Sequence, residues 1–597
     1  MSLPLQHARD VVQSMRVETV RNLIAQSKAK QVLREVHELP ANFPQFAPDL
    51  DERVTFVAYA LLACGCSMIE HAELVEGYAE VQSAADLLES AHRTEARNDR
   101  GSGFHCLIGA MAFYACGQYS RAFVLIRDVE AVTPAAGVIA SFLRKYSSEL
   151  IARLNAVLLS SPPELDDASR FDEWTLTTAL ARAVSLAFEH SISGEPSLLE
   201  EADAVLRDAM IISGSGSQPA FWWLSRLLKL MLSDYGLASL WKVVPPFFAP
   251  GGASQVESYV RLLALSKPPV IELWQSQLAS LQIALNRQNR GGVINLRTSA
   301  GKTRVAELAI LQVLKSDSGA KILYLAPFRS LAFELERTFS KYLTPLGYSV
   351  SHLYGGSRFS AVDRELANEA HMTIATPEKA KAMLRAAPEL FDAVKLVVVD
   401  EGHLLGGNAR NVRNELFLDH LRLLARQRGA RMLLLSAVLP NAEELATLIG
   451  GSTSAVAKSN WKPSGERFGL LWWRKSGVKI EWAGEERCFN PNFIEFKDVV
   501  ESGTKRSFPR TKTQAVAATA VRLAELGPVM IFAGQAQWVA SMTQSVLLAL
   551  GPDAVAHPWP EIEWRVFESV CREELGANAL ELQAARVGVI CHSNRPR

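Results

Sequence analysis

A short polar segment in the middle of the chain has the residue types that bind phosphate. The apolar run VINL at 293–296 is followed by Thr298, Ser299, Ala300, Gly301, Lys302 and Thr303, and then by a helical pattern. Small residues let backbone N–H groups point inward, the lysine can reach the β and γ phosphates, and the threonine hydroxyl can bind Mg²⁺. Leu296 stands where the general phosphate-loop pattern has its first Gly, so the motif alone fails. The strand-loop-helix context nevertheless predicts a nucleotide site.

An acidic pair, Asp400 and Glu401, ends a second apolar run, LVVV at 396–399. Carboxylates at the tip of a buried strand are costly unless they serve a cation or a water molecule. We expect Asp400 to hold Mg²⁺, and Glu401 to orient and deprotonate the water that attacks the γ-phosphate. The alternative is a solvated strand end followed by a turn, but the phosphate loop upstream favours the catalytic interpretation.

The elements that must position these residues are buried strands alternating with helices. Five continuously apolar runs of strand length are VINL at 293–296, ILYLA at 322–326, TIAT at 373–376, LVVVD at 396–400 and MLLLS at 432–436. Runs that are apolar throughout, rather than at alternate positions, are typical of parallel strands covered on both faces. The predicted fold class is α/β, and its ligands should bind at the carboxyl ends of the strands.

The order of the polar segments resembles that of superfamily 2 helicases, in their DExH, Ski-like branch. The matching segments are Thr298–Thr303 for motif I, with Arg297 in place of the family's Pro, Tyr324–Leu331 for motif Ia, Thr376–Lys379 for motif Ib, Asp400–His403 for motif II and Ser436–Asn441 for motif III. Upstream, Leu273–Gln277 resembles the segment whose glutamine reads the adenine edge, and Gln277 is the matching position. Trp461–Trp473 is similar to the stretch that follows the first motor domain in this branch.

The resemblance implies RecA-like motor domains that bind ATP with Mg²⁺ and run single-stranded nucleic acid across their surface, with DNA favoured over RNA. The implied roles are catalysis by Lys302, Asp400, Glu401 and His403; nucleotide binding by Gln277 and residues 298–303; Mg²⁺ binding by Thr303 and Asp400; strand contacts by Arg329, Ser330, Thr376 and Pro377; and coupling of the two sites by His403 with Ser436. Bacterial relatives with a long helical N-terminal region also suggest a setting in anti-phage defence.

At about 100 to 200 residues per domain, the 597 residues predict three to five domains. We expect an all-helical domain at 1–255, a first RecA-like domain at 265–455, a linker segment at 456–514 and part of a second RecA-like domain at 515–597. In the last, VMIFA at 529–533 is similar to motif IV and VGVICHS at 587–593 resembles the next strand. Motifs V and VI would follow, so we expect a truncated motor with little turnover of its own.

One helical hairpin in the N-terminal region has a tetratricopeptide-like spacing. Its residues are Ala110, Phe113, Tyr114, Gly117, Tyr119 and Ala122. Small residues at such positions let two antiparallel helices approach closely, but a true array would show the 34-residue period several times. Two interpretations stay open: an irregular helical domain that packs on its neighbours, or a repeat-like surface that binds a protein partner.

The composition excludes several classes of protein. Lys plus Arg equals Asp plus Glu, at 63 each, so any nucleic-acid site must be local. The apolar stretch 56–69 is shorter than the roughly 20 residues that cross a bilayer and indicates a buried helix. The N-terminus shows no secretory signal, and the seven cysteines show no CxxC pair. We expect a cytoplasmic protein with reduced thiols, no structural metal and no membrane contact.

Two functions therefore compete. The first is an ATP-dependent helicase or translocase. The second is a nucleotide-gated interaction protein, whose helical N-terminal domain binds a partner while the motor segment senses ATP. Retention of Glu401 favours the first, since a pure sensor needs no catalytic base.

Overall fold

The computed structural model describes residues 3–35, 46–95, 99–131, 133–163, 168–248, 251–353, 358–404, 409–463, 468–474, 477–482, 494, 496–501, 504–524, 527–552 and 554–592. The chain divides into two compact units. The first comprises Met1–Arg21 and Asp51–Ser464, and the second comprises Asn22–Leu50 and Gly465–Arg597.

The N-terminal part of the chain is helical, as predicted. Its helices are α1 (Leu5–Ser14), α2 (Glu18–Glu35), α3 (Leu50–Glu70), α4 (Leu74–His92), α5 (Arg100–Ala115), α6 (Tyr119–Ile126), α7 (Pro134–Leu143), α8 (Ser147–Leu158), α9 (Ala168–Ser193), α10 (Ser197–Ser215), α11 (Pro219–Ala238), α12 (Leu240–Val243) and α13 (Gly252–Ala264). The predicted boundary at residue 255 falls inside α13. That helix packs Val256, Val260 and Leu263 into the same core as the strands that follow, so the helical region and the next domain share one core.

Helix α3 is the apolar helix that the sequence predicts. By length and composition alone it could cross a membrane, but more than half of its most apolar window is buried within the protein. It crosses α4 where Gly65 faces Gly77, and a Cβ on either would lie 2.8 Å from the other's carbonyl oxygen. Cys64 and Cys66 are buried on the same helix, which therefore behaves as a core element.

The tetratricopeptide-like segment folds as the hairpin of α5 and α6. Gly117, in the turn, has a φ of 69°, a left-handed conformation that Gly adopts without steric cost. Phe113 and Tyr114 are fully buried on α5. The predicted helical hairpin is therefore present, while the surface that would bind a protein partner stays a prediction.

The middle of the chain is a parallel seven-stranded sheet, which confirms the predicted α/β class. Its strands are β1 (Gly291–Leu296), β2 (Lys321–Leu325), β3 (Val350–His352), β4 (Met372–Ala375), β5 (Val394–Val399), β6 (Arg431–Ser436) and β7 (Val456–Ser459), in the order β3-β4-β2-β5-β6-β1-β7. Every neighbouring pair is parallel. All five predicted strands are present, and β7 extends the sheet beyond the predicted boundary at 455.

Helices cover both faces of the sheet, which explains why its strands are apolar throughout. They are α14 (Gln275–Ala284), α15 (Lys302–Ser316), α16 (Arg329–Leu343), α17 (Ala361–Glu369), α18 (Pro377–Ala386), α19 (Ala409–Gln427) and α20 (Ala442–Gly450). Alternate residues of a strand face opposite layers. Ile294 packs with α13 to α16 on one face, and Val293 packs with α17 to α20 on the other.

The second unit contains two antiparallel hairpins and four further helices. They are β8 (Gly469–Arg474) with β9 (Gly477–Trp482), β10 (Lys497–Glu501) with β11 (Thr504–Phe508), and α21 (Lys512–Ala524), α22 (Gln537–Leu550), α23 (Glu561–Leu575) and α24 (Leu580–Arg586). Together with β7 of the parallel sheet, these two hairpins give five strands within the segment 456–514, which was predicted as a linker.

The strands expected at 529–533 and 587–593 are not formed: 529–533 and 587–592 lie outside any strand, and residue 593 lies outside the described residues. A strand exists only through hydrogen bonds to a neighbour, and none of the described residues pairs with either run. Consistent with this, Met530 and Phe532 remain 89% and 86% exposed. The resemblance to motif IV and to the strand after it predicted these strands, but pairing decides whether they form.

Candidate nucleotide site

The predicted phosphate loop joins β1 to α15 at the carboxyl edge of the sheet. Gly301 lies just before the helix with a φ of 87°. Within the described residues, the backbone N–H groups of Gly301, Lys302 and Thr303 donate to no protein acceptor. Unpaired N–H groups at a helix N-terminus, together with the positive end of the helix dipole, favour an anion. The loop therefore has the donor set that a phosphate group requires.

Lys302 supplies the cation of the loop. Its Nζ donates to the carbonyl oxygen of Leu296, 3.2 Å away, so the side chain folds back across the loop. Thr303 follows on the first turn of α15 and is half-buried. The structure thus places the predicted phosphate-binding and Mg²⁺-binding side chains next to the free N–H groups.

The upstream segment packs directly against the phosphate loop. Ser276 donates through its hydroxyl to the carbonyl oxygen of Ala300 at 2.8 Å, and Gln277 Nε2 donates to that of Gly301 at 3.4 Å. Gln277 Oε1 accepts from the backbone N–H of Trp274 at 2.8 Å. Since an amide has two hydrogens and two acceptor lone pairs, Gln277 keeps one of each for a ligand. A donor and an acceptor side by side match the N7 and 6-amino edge of adenine.

The acidic pair follows β5, two strands away from β1. Tyr324 donates to Asp400 Oδ2 at 2.8 Å, and the backbone N–H of Glu401 donates to Asp400 Oδ1 at 2.9 Å. Burial raises the pKa of Asp400 and the charge of Glu401 adds to the rise, while the two hydrogen bonds and Lys302 act against it. A fixed, half-buried carboxylate at the sheet edge is well suited to a divalent cation, and with the hydroxyl of Thr303 it supplies oxygen ligands that fit Mg²⁺.

His403 links the acidic pair to β6. Its Nδ1 lies 3.2 Å from Glu401 Oε2 and 3.3 Å from the hydroxyl oxygen of Ser436. Ser436 is fully buried at the end of β6, which lies between β5 and β1. The structure therefore brings together the two residues expected to couple the nucleotide to the strand.

Two residues of this site have a strained backbone conformation. Among the described residues six other than Gly have a positive φ, and two of them are Ser299 in the phosphate loop, at 64°, and Glu401, at 51°. Such conformations cost of order 1 to 3 kcal/mol each and occur preferentially at functional positions.

The residues expected to bind nucleic acid lie on the other half of the sheet edge, after β2 and β4. Arg329 and Ser330 are exposed at the start of α16. Thr376 caps α18, because its hydroxyl accepts from the backbone N–H of Lys379 at 3.3 Å. Pro377 is buried at the first position of that helix. The buried ring shapes the turn that begins α18, and a contact of Pro377 with a nucleic-acid strand stays a prediction.

Two contributing residues were missed from the sequence. Tyr324, which holds Asp400, lies on a neighbouring strand 76 positions away, and no local pattern joins the two. Lys379, in the segment resembling motif Ib, is 3% exposed and donates to Asp363 Oδ2 at 2.7 Å. Its charge therefore supports the fold rather than a phosphate.

Known proteins resemble the chain in this region and beyond it. Residues 274–445 match the DEAD/DEAH box helicase family. The chain is 33% identical over 591 residues to the Hachiman protein HamB of Bacillus cereus, a match covering 97% of this chain and 52% of HamB. It is 34% identical over 200 residues to the ATP-dependent DNA helicase Hel308 of Thermococcus kodakarensis, covering 34% of this chain and 16% of that protein. The crystal structure of the DUF1998 helicase MrfA bound to DNA aligns with a TM-score of 0.38 and 21% identity, over 56% of this chain and 45% of that one. The chain thus spans about half the length of HamB.

Proposed function

We propose that this chain, whose residues 274–445 match the DEAD/DEAH box helicase family, couples ATP hydrolysis to movement along single-stranded nucleic acid. The observation that carries the proposal is the convergence of three groups at one sheet edge. The phosphate loop follows β1, Ser436 ends β6 and the acidic pair follows β5, and these strands are neighbours.

The residues divide the chemistry of hydrolysis between them. Lys302 and the free N–H groups of the loop bind the β and γ phosphates. Thr303 and Asp400 would hold Mg²⁺, which, when bound, neutralises phosphate charge. Glu401 orients a water molecule and takes its proton, and His403, which contacts Glu401 Oε2, keeps that carboxylate in place. Tyr324 does the same for Asp400.

Arg329, Ser330 and Thr376 are the residues that we assign to the strand. They follow β2 and β4, beside the acidic pair, where loop amides and hydroxyls can hold a phosphodiester backbone without a strongly basic surface. Similarity to a DNA helicase over a third of the chain favours DNA as the strand.

A role in anti-phage defence is supported by the similarity to the Hachiman protein HamB, which extends over nearly all of this chain. The similarity includes the helical region, which is our candidate for binding a protein partner. We propose the cytoplasm as the compartment, where phage nucleic acid and ATP are both present.

The second candidate function is a nucleotide-gated interaction protein. The packing of α13 favours it, because this helix belongs to the helical region and yet lies in the core of the nucleotide-binding domain. A change in the nucleotide-binding domain when nucleotide binds can therefore be transmitted directly to the helical region. The two candidates differ in whether Glu401 is used for turnover.

The test is to measure ATP affinity by calorimetry, and phosphate release with and without single-stranded DNA. Lys302→Ala removes charge-assisted hydrogen bonds worth about 1.5 to 3 kcal/mol and should weaken ATP binding about ten- to a hundredfold. In a complete motor, Glu401→Gln should keep ATP bound and stop turnover, and Asp400→Asn should also weaken Mg²⁺-dependent binding. Lys315→Ala, at the far end of α15, is the matched control.

Two results would contradict the proposal. Unchanged ATP affinity in Lys302→Ala would remove the phosphate site. Phosphate release by Glu401→Gln at the wild-type rate would exclude Glu401 as the base. ATP binding without strand-stimulated release in a motor extended through motif VI would favour the nucleotide-gated alternative.

A further inference from the structure

We propose that the helical N-terminal region forms one wall of the base-binding part of the nucleotide site, with Phe123 and Tyr146 as the side chains that face the base. A bound nucleotide would then contact both the phosphate loop and the helical region. The inference rests on the proposed ATP site and adds a second group of residues to it.

A cavity of about 1070 Å³ lies between the helical region and the phosphate loop. Its lining includes Gln277, Gly301 and Thr303 of the nucleotide-binding domain and, from the helical region, Phe123 and Tyr146. Small-molecule sites usually occupy about 300 to 1,000 Å³ and occur preferentially between domains. The cavity is thus large enough for the base and ribose of a nucleotide.

Continuity with the phosphate loop identifies the occupant. Gly301 and Thr303 belong to the loop and also line the cavity. A nucleotide whose phosphates lie on that loop must place its ribose and base within a few bonds of it. Gln277, whose amide keeps a free donor and acceptor, opens into the same space, so the base enters the cavity rather than the solvent.

The helical wall offers aromatic rings to that base. Phe123 is half-buried on α6, and Tyr146, which precedes α8, is 45% exposed. An aromatic ring stacks on any nucleobase through its π face. These rings line the same cavity as Gln277, so we expect the edge of the base to contact Gln277 and its face to contact the helical region.

The turn that carries Tyr146 is held in place by its neighbour. Lys145 has a φ of 59° and donates through Nζ to both carboxylate oxygens of Glu272, at 2.7 and 2.9 Å. Glu272 lies in the connection between α13 and α14 and lines the same cavity. This ion pair joins the helical wall to the segment leading to Gln277, so the two walls have a fixed spacing.

The decisive experiment compares ligands with and without a base on the full chain. Calorimetry measures the affinity for ATP, ADP and inorganic tripolyphosphate, each with Mg²⁺. The double variant Phe123→Ala/Tyr146→Ala should bind ATP and ADP about 5- to 100-fold more weakly, the range measured for loss of base–aromatic stacking. Its affinity for tripolyphosphate should stay within about twofold of wild type. Ile151→Ala, an exposed residue of α8 outside the cavity, is the matched control.

The outcomes separate this inference from the proposed function. If the wild-type chain binds neither ATP nor tripolyphosphate, the ATP site itself is wrong. If it binds both, and the double variant keeps wild-type affinity for ATP, the aromatic wall is wrong while the ATP site stands. An equal loss for ATP and tripolyphosphate would place the effect on the phosphate loop and would also overturn the inference.

A second measurement needs no variant. Photolabelling of the wild-type chain with 8-azido-ATP should modify peptides that contain residues 119–124 or 143–149. Labelling confined to peptides of the nucleotide-binding domain would overturn the inference. Excess ATP should prevent labelling, and excess tripolyphosphate should prevent it through the shared phosphate site.

Discussion

Replacement of Lys145 should separate two energies that act at one residue, a buried ion pair and a strained backbone. Its Nζ donates to both carboxylate oxygens of Glu272, and the side chain of Glu272 is only 6% exposed. Lys145 also follows the end of α7 with a φ of 59°, in the left-handed region where Gly is preferred after a helix. A lysine is retained there although its backbone conformation is unfavourable.

The two energies can be estimated from these contacts. Lys145→Ala leaves the carboxylate of Glu272 buried without its cation, and removing one partner of a buried pair costs about 3 to 5 kcal/mol of unfolding free energy. Lys145→Gly loses the same pair but relieves about 1 to 2 kcal/mol of left-handed strain. Gly also has more conformational freedom in the unfolded chain, which lowers the free energy of unfolding and offsets about 0.4 to 1 kcal/mol of that gain. We therefore expect the Gly variant to be more stable than the Ala variant by about 0.5 to 1 kcal/mol.

Urea unfolding, followed by tryptophan fluorescence, measures these differences. Lys145→Gly/Glu272→Gln removes the uncompensated charge as well and should recover part of the loss. If Lys145→Ala unfolds at the wild-type urea concentration, the ion pair contributes no stability. If the Ala variant equals or exceeds the Gly variant, the argument from backbone strain is refuted.

Three further predictions concern other parts of the chain. Tyr259→Phe should lower the free energy of unfolding by about 1.5 to 3 kcal/mol, measured in urea, because the buried carboxylate of Glu307 loses a hydrogen bond of 2.7 Å. Burial, with a smaller contribution from Glu272, raises the pKa of Asp234 from 3.8 to about 7, against the hydrogen bond from Tyr119. The folded protein then binds the extra proton, so unfolding free energy should fall as pH rises from about 4 to 7. Asp234→Asn should remove this fall and be more stable than wild type above pH 7 in thermal melts. Arg329→Ala should weaken single-stranded DNA binding and reduce its salt slope by about 1, and an unchanged slope would place Arg329 outside the interface.

The strands of the sheet could be predicted because consecutive residues of each strand are apolar, which indicates burial on both faces. Val397 and Val398 face opposite layers, and both must be apolar when helices cover both faces. The phosphate loop and the acidic pair were predictable for a related reason, since parallel strands bring their carboxyl ends to one edge. Tyr324 could not be found in this way, because its contact with Asp400 depends on which strands are neighbours.

Contacts between distant segments account for the other differences. The helical domain was predicted to end at residue 255 because the Pro- and Gly-rich segment 245–252 indicated a domain junction, yet Val256 and Val260 of α13 pack with the strands that follow. Lys379 ends the segment that resembles motif Ib, but its buried partner Asp363 lies on another helix. The packing of α13 and the ion pair of Lys379 with Asp363 both depend on which segments meet in the folded protein, and no local sequence pattern specifies this.

The packing of α13 against α15 gives the helical region a direct connection to the phosphate loop. Helix α15 begins at Lys302, and one turn later Arg304 and Glu307 meet Tyr259 of α13. Arg304 Nη1 donates to Glu307 Oε1 at 2.7 Å and to the Tyr259 hydroxyl at 3.1 Å, and that hydroxyl donates to Glu307. A buried charge network of this kind cannot slide as apolar contacts can, because breaking one bond leaves a charged group unpaired.

A displacement of the start of α15 on nucleotide binding must therefore carry α13 with it or break the network. Breaking the network costs several kcal/mol. That is a large part of the roughly 8 kcal/mol of binding free energy that corresponds to a micromolar nucleotide affinity. We therefore expect α13 to move with the phosphate loop as one body. The helical region is then coupled to the nucleotide twice, through this network and through the wall that holds Phe123 and Tyr146, which makes it the part of the chain best placed to report nucleotide occupancy to a partner.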